Sequence, residues 1–200
     1  MNIGFDFDNT LISYEDLFYR IAIERELIPI TLKKDKLSVK KFLDENGRSE
    51  EFTKIQGLVY GNEIIKAKPS ENILDFLDKL FGIHGIQIYI ISHKTKFPYI
   101  GEKINLRESA NKWIDLYLNK EERSYFSSAN VFYESTIEAK IARIQSLKCN
   151  YFFDDLPKII ELIPEEINGI LYDPNDKYKH LDLPRLNNWS NLNINTFFMI

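Results

Sequence analysis

The stretch "IGFDFDNTLI", Ile3 to Ile12, is a short apolar run that ends in two aspartates, Asp6 and Asp8, two positions apart. Branched and aromatic residues bounded by polar "DNT" read as a buried parallel strand followed by a loop. Carboxylates at such a strand end repel each other and resist leaving water unless a cation or a reaction uses them. The rest of the chain is read outward from this strand.

Four further runs of the same kind follow: "IQIYIIS" (Ile86 to Ser92), "NVFYE" around Val131, "YFFDD" (Tyr151 to Asp155) and "GILYD" (Gly169 to Asp173). Helical patterns separate them. Ser70 is expected to cap a helix with Ile73, Leu74, Leu77, Leu80 and Phe81 on one face. Leu106, Ala110, Trp113, Ile114 and Tyr117 repeat the pattern, as do Ile137, Ile141 and Ile144 behind the expected cap Thr136. Strand and helix in alternation predict a Rossmann-like, three-layer α/β/α parallel sheet, with ligands at the carboxyl ends of its strands.

The stretch from Tyr14 to Lys66 breaks the alternation. It holds three helix-like segments and no convincing strand: one marked by Leu17, Phe18, Ile21 and Ala22, a second by Val39, Phe42 and Leu43, a third by Phe52, Ile55, Leu58 and Val59. The expected organisation is therefore a core over 1–13 and 67–200, with a small α-helical cap inserted over 14–66 as a lid on the strand ends. Cap aromatics such as Tyr14, Phe18 and Tyr60 fall at core spacing.

At 200 residues and 44% hydrophobic content the chain has ample material for a packed core. A net charge of -4 and a pI near 5.5, with bases interspersed among acids, argue against a nucleic-acid partner. No apolar run is long enough to span a bilayer and no signal-like N-terminus is visible, so a cytoplasmic protein is expected. The single cysteine, Cys149, reads as a structural thiol. The tail "NNWSNLNINTFFMI" has apolar residues that pack either on the domain or on a second subunit.

At the carboxyl ends of the expected strands stand Asp6, Asp8 and Thr10, then Ser92, then Asp154 and Asp155, with Lys140 near the start of the helix entering the fourth strand. Convergent carboxylates, a hydroxyl and a lysine suit a hard, oxygen-liganded cation such as Mg²⁺ together with a phosphate. A carboxylate can attack phosphorus once the repulsion between anions is offset, and a second one can move the protons. Hydroxyls and backbone amides near Asn9 and Thr10 can hold the phosphoryl oxygens. A turn carboxylate or a helix cap is the bland alternative for the aspartates.

"DFDNTL" resembles the first motif of the haloacid dehalogenase superfamily of phosphohydrolases. "IYIIS", Lys140 and "YFFDD" are similar, more weakly, to its second, third and fourth motifs, in the same order. The resemblance implies Asp6 as nucleophile and Mg²⁺ ligand, and Asp8 as general acid/base that also binds Mg²⁺ through its main-chain carbonyl. It implies Ser92 as a phosphate ligand, Lys140 as the balance for phosphoryl charge, and Asp154 with Asp155 as metal ligands. "ISHKTKFPYIG" also looks like an uncharacterised bacterial branch of hydrolase-like proteins, and His93 and Lys94 are expected substrate contacts beside Asn9 and Thr10. The expected activity is a Mg²⁺-dependent phosphatase on a small phosphorylated metabolite. A phosphotransferase or mutase using the same intermediate, and a non-catalytic phosphate or nucleotide binder, stay open.

Overall fold

A computed structural model describes residues 1–120 and 123–197. The chain divides into two compact units, one of Met1–Ile12, Pro69–Lys94 and Leu118–Ile200, the other of Ser13–Lys68 and Thr95–Tyr117. Six parallel strands form the sheet of the first unit: β1 (Asn2–Phe5), β2 (Gln87–His93), β3 (Val131–Glu134), β4 (Tyr151–Asp154), β5 (Asn168–Tyr172) and β6 (Arg185–Leu186). Helices form at α1 (Leu17–Glu24), α2 (Lys36–Glu45), α3 (Ser49–Val59), α4 (Ile73–Phe81), α5 (Leu106–Tyr117), α6 (Ile137–Ser146) and α7 (Pro157–Leu162).

The strand order is β6-β5-β4-β1-β2-β3. This puts β1 at the centre, with Phe5 opposite Ile90 of β2 and Phe153 of β4. The five expected strands are present, four of them to within a residue at their ends and β1 ending at Phe5, before the aspartates. The sixth, Arg185–Leu186, was not expected: it is two residues long and carries no apolar run.

Because successive strand residues face opposite ways, Phe152 and Phe153 build different cores. Phe152 packs with Ile91, Ile144, Cys149, Ile159, Ile160 and Leu171. Phe153 stacks on Phe5 and meets Phe76 of α4 and Trp189, so the other face is largely aromatic. Trp189 thus settles part of the tail: its ring is buried among Phe5, Phe76, Phe153 and Tyr172 of the same chain. Phe198, Met199 and Ile200 lie outside the described residues.

Two helix starts show how local chemistry works here. Thr136 caps α6 as expected, its hydroxyl accepting from the Ala139 amide at 3.1 Å. Ser70 does not cap α4: the helix begins after Asn72, whose φ of 61° turns the chain, and the amide of Ile73 donates to the Ser70 carbonyl instead.

The second unit has its own core. Phe18 stacks on Phe52 at 5.8 Å, Tyr14 and Tyr60 meet edge to face, and Val39 and Leu43 are fully buried. Lys36 donates to the Tyr60 hydroxyl at 2.8 Å. The three expected helices over 14–66 are α1, α2 and α3. α5, which the sequence reading assigned to the core, belongs with them: Trp113 donates to the Ala67 carbonyl and Tyr117 to that of Ile65, each at 2.9 Å. Amphipathic spacing shows that a helix buries one face, but not against which partner.

Candidate active site

The end of β1 is held rigidly. The Asp6 amide donates to the Phe153 carbonyl at 2.8 Å, and the Phe7 carbonyl accepts from the amides of Leu11 and Ile12. Asn9 takes a φ of 57°, the left-handed region that asparagine tolerates better than most residues. This tight loop sends Asp6 and Asp8 in different directions.

Asp6 is buried, and Lys140 from the first turn of α6 donates to its Oδ1 at 2.5 Å. The same ammonium donates to Oδ2 of Asp154, the last residue of β4, also at 2.5 Å. Lys140 and Asp154 are both almost wholly sealed from water. Burial works against an ammonium, but the attraction of Asp6 and then Asp154 outweighs it and holds Lys140 charged above the usual lysine range. Burial pushes the Asp6 carboxyl up to about 7 against the pull of Lys140, and the negative charges of Asp154 and Asp8 add to the rise.

Asp155 completes the group. Loss of hydration, then the charges of Asp154 and Asp6, raise its carboxyl well above the ordinary aspartate range, while Asn9 donates to its Oδ2 at 3.2 Å. Asp6, Asp154 and Asp155 each offer an oxygen, and the three lie within 4.8 Å of one another. Oxygen-only donors at that spacing fit a hard divalent cation, and the upward shifts mark carboxylates short of positive charge. Asp154 also accepts from the Leu156 amide at 2.9 Å, so it anchors the start of α7 while its other oxygen faces Lys140. The bond closes a turn ahead of the helix and is not a cap: Leu156 is the N-cap of α7, with no side-chain cap hydrogen bond.

The Asp8 carboxylate turns to Lys94, just past β2, at 3.0 Å from Oδ1 and 2.8 Å from Oδ2. Lys94 is therefore brought to the expected proton-transfer residue. Two hydroxyls among the expected phosphate contacts, Thr10 Oγ1 and Ser92 Oγ, are buried and have no hydrogen-bond partner among the described residues. A buried hydroxyl left without a partner is costly, and an incoming anion can satisfy it. His93, next along β2, is exposed and its Nε2 lies 3.1 Å from the Ser135 carbonyl, so it is not gathered with the carboxylates.

Two further polar residues, not among the expected site residues, are buried in the same unit. Ser70, whose amide donates to the Leu11 carbonyl, has a third buried hydroxyl without a partner among the described residues. Asp173 follows β5 and is buried, but the amides of Lys177 and Tyr178 and the guanidinium of Arg185 occupy its oxygens. It anchors a loop. The signal for that role was present in "DPND", an aspartate opening a turn.

Comparison with known proteins agrees on the architecture. No family model matches the chain. A protein of Bacillus cereus named as a candidate nucleotidase is 44% identical over 63 residues, which are 30% of this chain and 32% of that protein, so the match spans about a third of the relative's length. Among solved structures, the candidate HAD-hydrolase YfnB of Bacillus subtilis, bound to magnesium, is similar over 100% of this chain and 98% of its own, at a TM-score of 0.60 and 14% identity. A candidate phosphoglycolate phosphatase of Lactobacillus plantarum is similar over 95% of this chain and 96% of its own, at a TM-score of 0.58 and 12% identity. The fold is that of the haloacid dehalogenase superfamily, as the "DFDNTL" motif led one to expect.

Proposed function

We propose that a chain with this fold and this carboxylate cluster is a Mg²⁺-dependent phosphatase that cleaves a small phosphomonoester through an aspartyl-phosphate at Asp6. The observation that carries the reading is Asp6 itself: buried, bonded to Lys140, and one of three aspartates whose oxygens lie within 4.8 Å of one another. Asp6, Asp154 and Asp155 would hold the cation, with the main-chain carbonyl of Asp8. Bound there, Mg²⁺ supplies the positive charge that lets a carboxylate approach a phosphate dianion.

The chain's own residues do the rest. An Asp6 oxygen attacks phosphorus and the bond from phosphorus to the ester oxygen breaks, its electron pair leaving with that oxygen. Asp8 hands the leaving oxygen a proton. In the second half a water attacks phosphorus, Asp8 takes the water's proton, and the electron pair of the breaking Asp6–phosphorus link returns to the carboxylate. Lys140 balances the charge gathering around Asp6, and the Thr10 and Ser92 hydroxyls donate to the transferring phosphoryl oxygens. The nucleotidase name of the Bacillus cereus relative supports including nucleoside monophosphates among the compounds to try.

The test is phosphate release from a panel of phosphorylated metabolites, nucleoside monophosphates included, with Mg²⁺ or with a chelator. Turnover of at least one compound is expected with Mg²⁺ alone, and its loss in Asp6→Asn and Asp8→Asn. Turnover that survives Asp6→Asn rules out the aspartyl-phosphate route.

A further inference from the structure

Lys94 is a buried lysine whose ammonium donates to Oδ1 of Asp8 at 3.0 Å and lies 2.8 Å from its Oδ2, across 86 residues of sequence. An ammonium is expensive to seal from water, and lysines are rarely buried without a partner that demands it. The surroundings leave it little freedom. Its own amide donates to the Glu134 carbonyl of β3 at 2.9 Å, and its ammonium lies 5.5 Å from the centre of the buried Phe7 ring. Asp8 is fixed from the other side by the turn closed on the Phe7 carbonyl and by a bridge to Ile12. Two short, stiff pieces of backbone thus meet through one carboxylate and one ammonium.

We propose that Lys94 is a positioning residue for Asp8, and that it serves the half of the reaction in which water attacks the phosphorylated Asp6. This inference rests on the phosphatase reading above. Contacts from one ammonium to both oxygens fix the direction of the Asp8 carboxylate, and in the hydrolytic half that direction decides whether the base meets the attacking water. Held at two oxygens, the Asp8 side chain cannot swing away between the two halves of the cycle. In the hydrolytic step the water oxygen bonds to phosphorus, its proton passes to Asp8, and the Asp6–phosphorus link breaks with its electrons returning to Asp6. Lys94 gives up no proton and forms no bond to phosphorus in that step. It acts by keeping Asp8 aimed.

The experiment uses p-nitrophenyl phosphate with Mg²⁺, because its phenolate leaves without needing a proton and the first half then proceeds independently of Asp8. The parent, Lys94→Met, Lys94→Arg and Asp8→Asn proteins are mixed rapidly with it, and p-nitrophenolate, inorganic phosphate and acid-quenched phosphoprotein are followed. Lys94→Met should keep a fast first turnover, then accumulate phosphoprotein whose decay is about 100-fold slower than in the parent, as expected for a misplaced general base. Asp8→Asn should show the same pattern, and Lys94→Arg should recover most of the decay rate. Circular dichroism and the unfolding midpoint are measured for each variant; if Lys94→Met does not fold, Lys94→Gln takes its place. Equal slowing of both halves, or unchanged phosphoprotein decay, overturns the proposal. Phosphate release by the parent that persists in Asp6→Asn, with no phosphoprotein formed, overturns the aspartyl-phosphate route, and a parent that releases no phosphate from any ester overturns the phosphatase reading; this inference falls with either.

Discussion

Lys140 Nζ lies 2.5 Å from Oδ1 of Asp6, a residue 134 positions earlier, and both side chains are buried. Removing one partner of such a pair leaves the other charge buried and uncompensated, which typically costs about 3–5 kcal/mol. Here two carboxylates, Asp6 and Asp154, lose the same partner. Lys140→Met should therefore lower stability by about that amount in urea unfolding with a chelator present. Mg²⁺ should recover part of the loss, since a bound cation stabilises the folded state by mass action. Equal midpoints for parent and variant in chelator would show that the pair contributes nothing net.

Metal affinity should depend steeply on acidity. Burial holds the Asp6 carboxyl at about 7 and raises Asp155 as well, so near neutral pH the metal-free site carries protons that a cation must displace. The sign follows directly. As pH falls through 7 a larger fraction of Asp6 is protonated, and the apparent affinity falls with it; as pH rises above 7 the competition from Asp6 eases. Titration calorimetry of Mg²⁺ at pH 6 and pH 8, in buffers of different ionisation heat, should show more proton release at the lower pH. Affinity independent of pH over that interval contradicts the placement of the cation on Asp6.

The parts of this site that could be read from sequence are those that short-range rules control. Asp6, Ser92 and Asp154 end apolar runs, and a run's end is where a parallel sheet presents polar groups; Lys140 sits one helical turn after a recognisable threonine cap. The partner of Lys94 could not be read this way, because an ion pair across 86 residues leaves no local trace. The same holds for α5, whose amphipathic face was legible but whose attachment to Ala67 and Ile65 was not. Ser70 looked like a cap by residue type, and the backbone turn at Asn72 overruled it.

Gly4 in the middle of β1 tests the packing directly behind the site. A Cβ there would stand 2.6 Å from Phe152 Cδ2 and 3.2 Å from the Cys149 sulfur, both members of one buried cluster. Overpacking of this kind typically costs about 1–3 kcal/mol. Cys149 supplies the readout: its side chain is buried, and burial pushes the thiol up to about 12, so a thiol reagent should reach it only when the fold opens. Gly4→Ala should label faster than the parent under native conditions and equally fast in denaturant. Identical native labelling rates would mean that the ring of Phe152 moves aside at no cost.

Asn9 separates backbone conformation from ligand positioning at a single residue. Its φ of 57° is a conformation that costs an ordinary side chain about 1–2 kcal/mol, while its amide donates to Asp155 Oδ2 at 3.2 Å. Asn9→Gly removes the hydrogen bond and leaves the turn at ease; Asn9→Ala removes the bond and strains the turn. Both variants should weaken Mg²⁺ binding by about 10-fold, the usual effect of losing a group that orients a metal ligand. Only Asn9→Ala should also lose stability relative to Asn9→Gly, by about 1 kcal/mol in chelator. Titration calorimetry and urea unfolding measured together distinguish the two effects. Unchanged affinity in both variants would take Asp155 out of the metal site and leave the cation to Asp6 and Asp154.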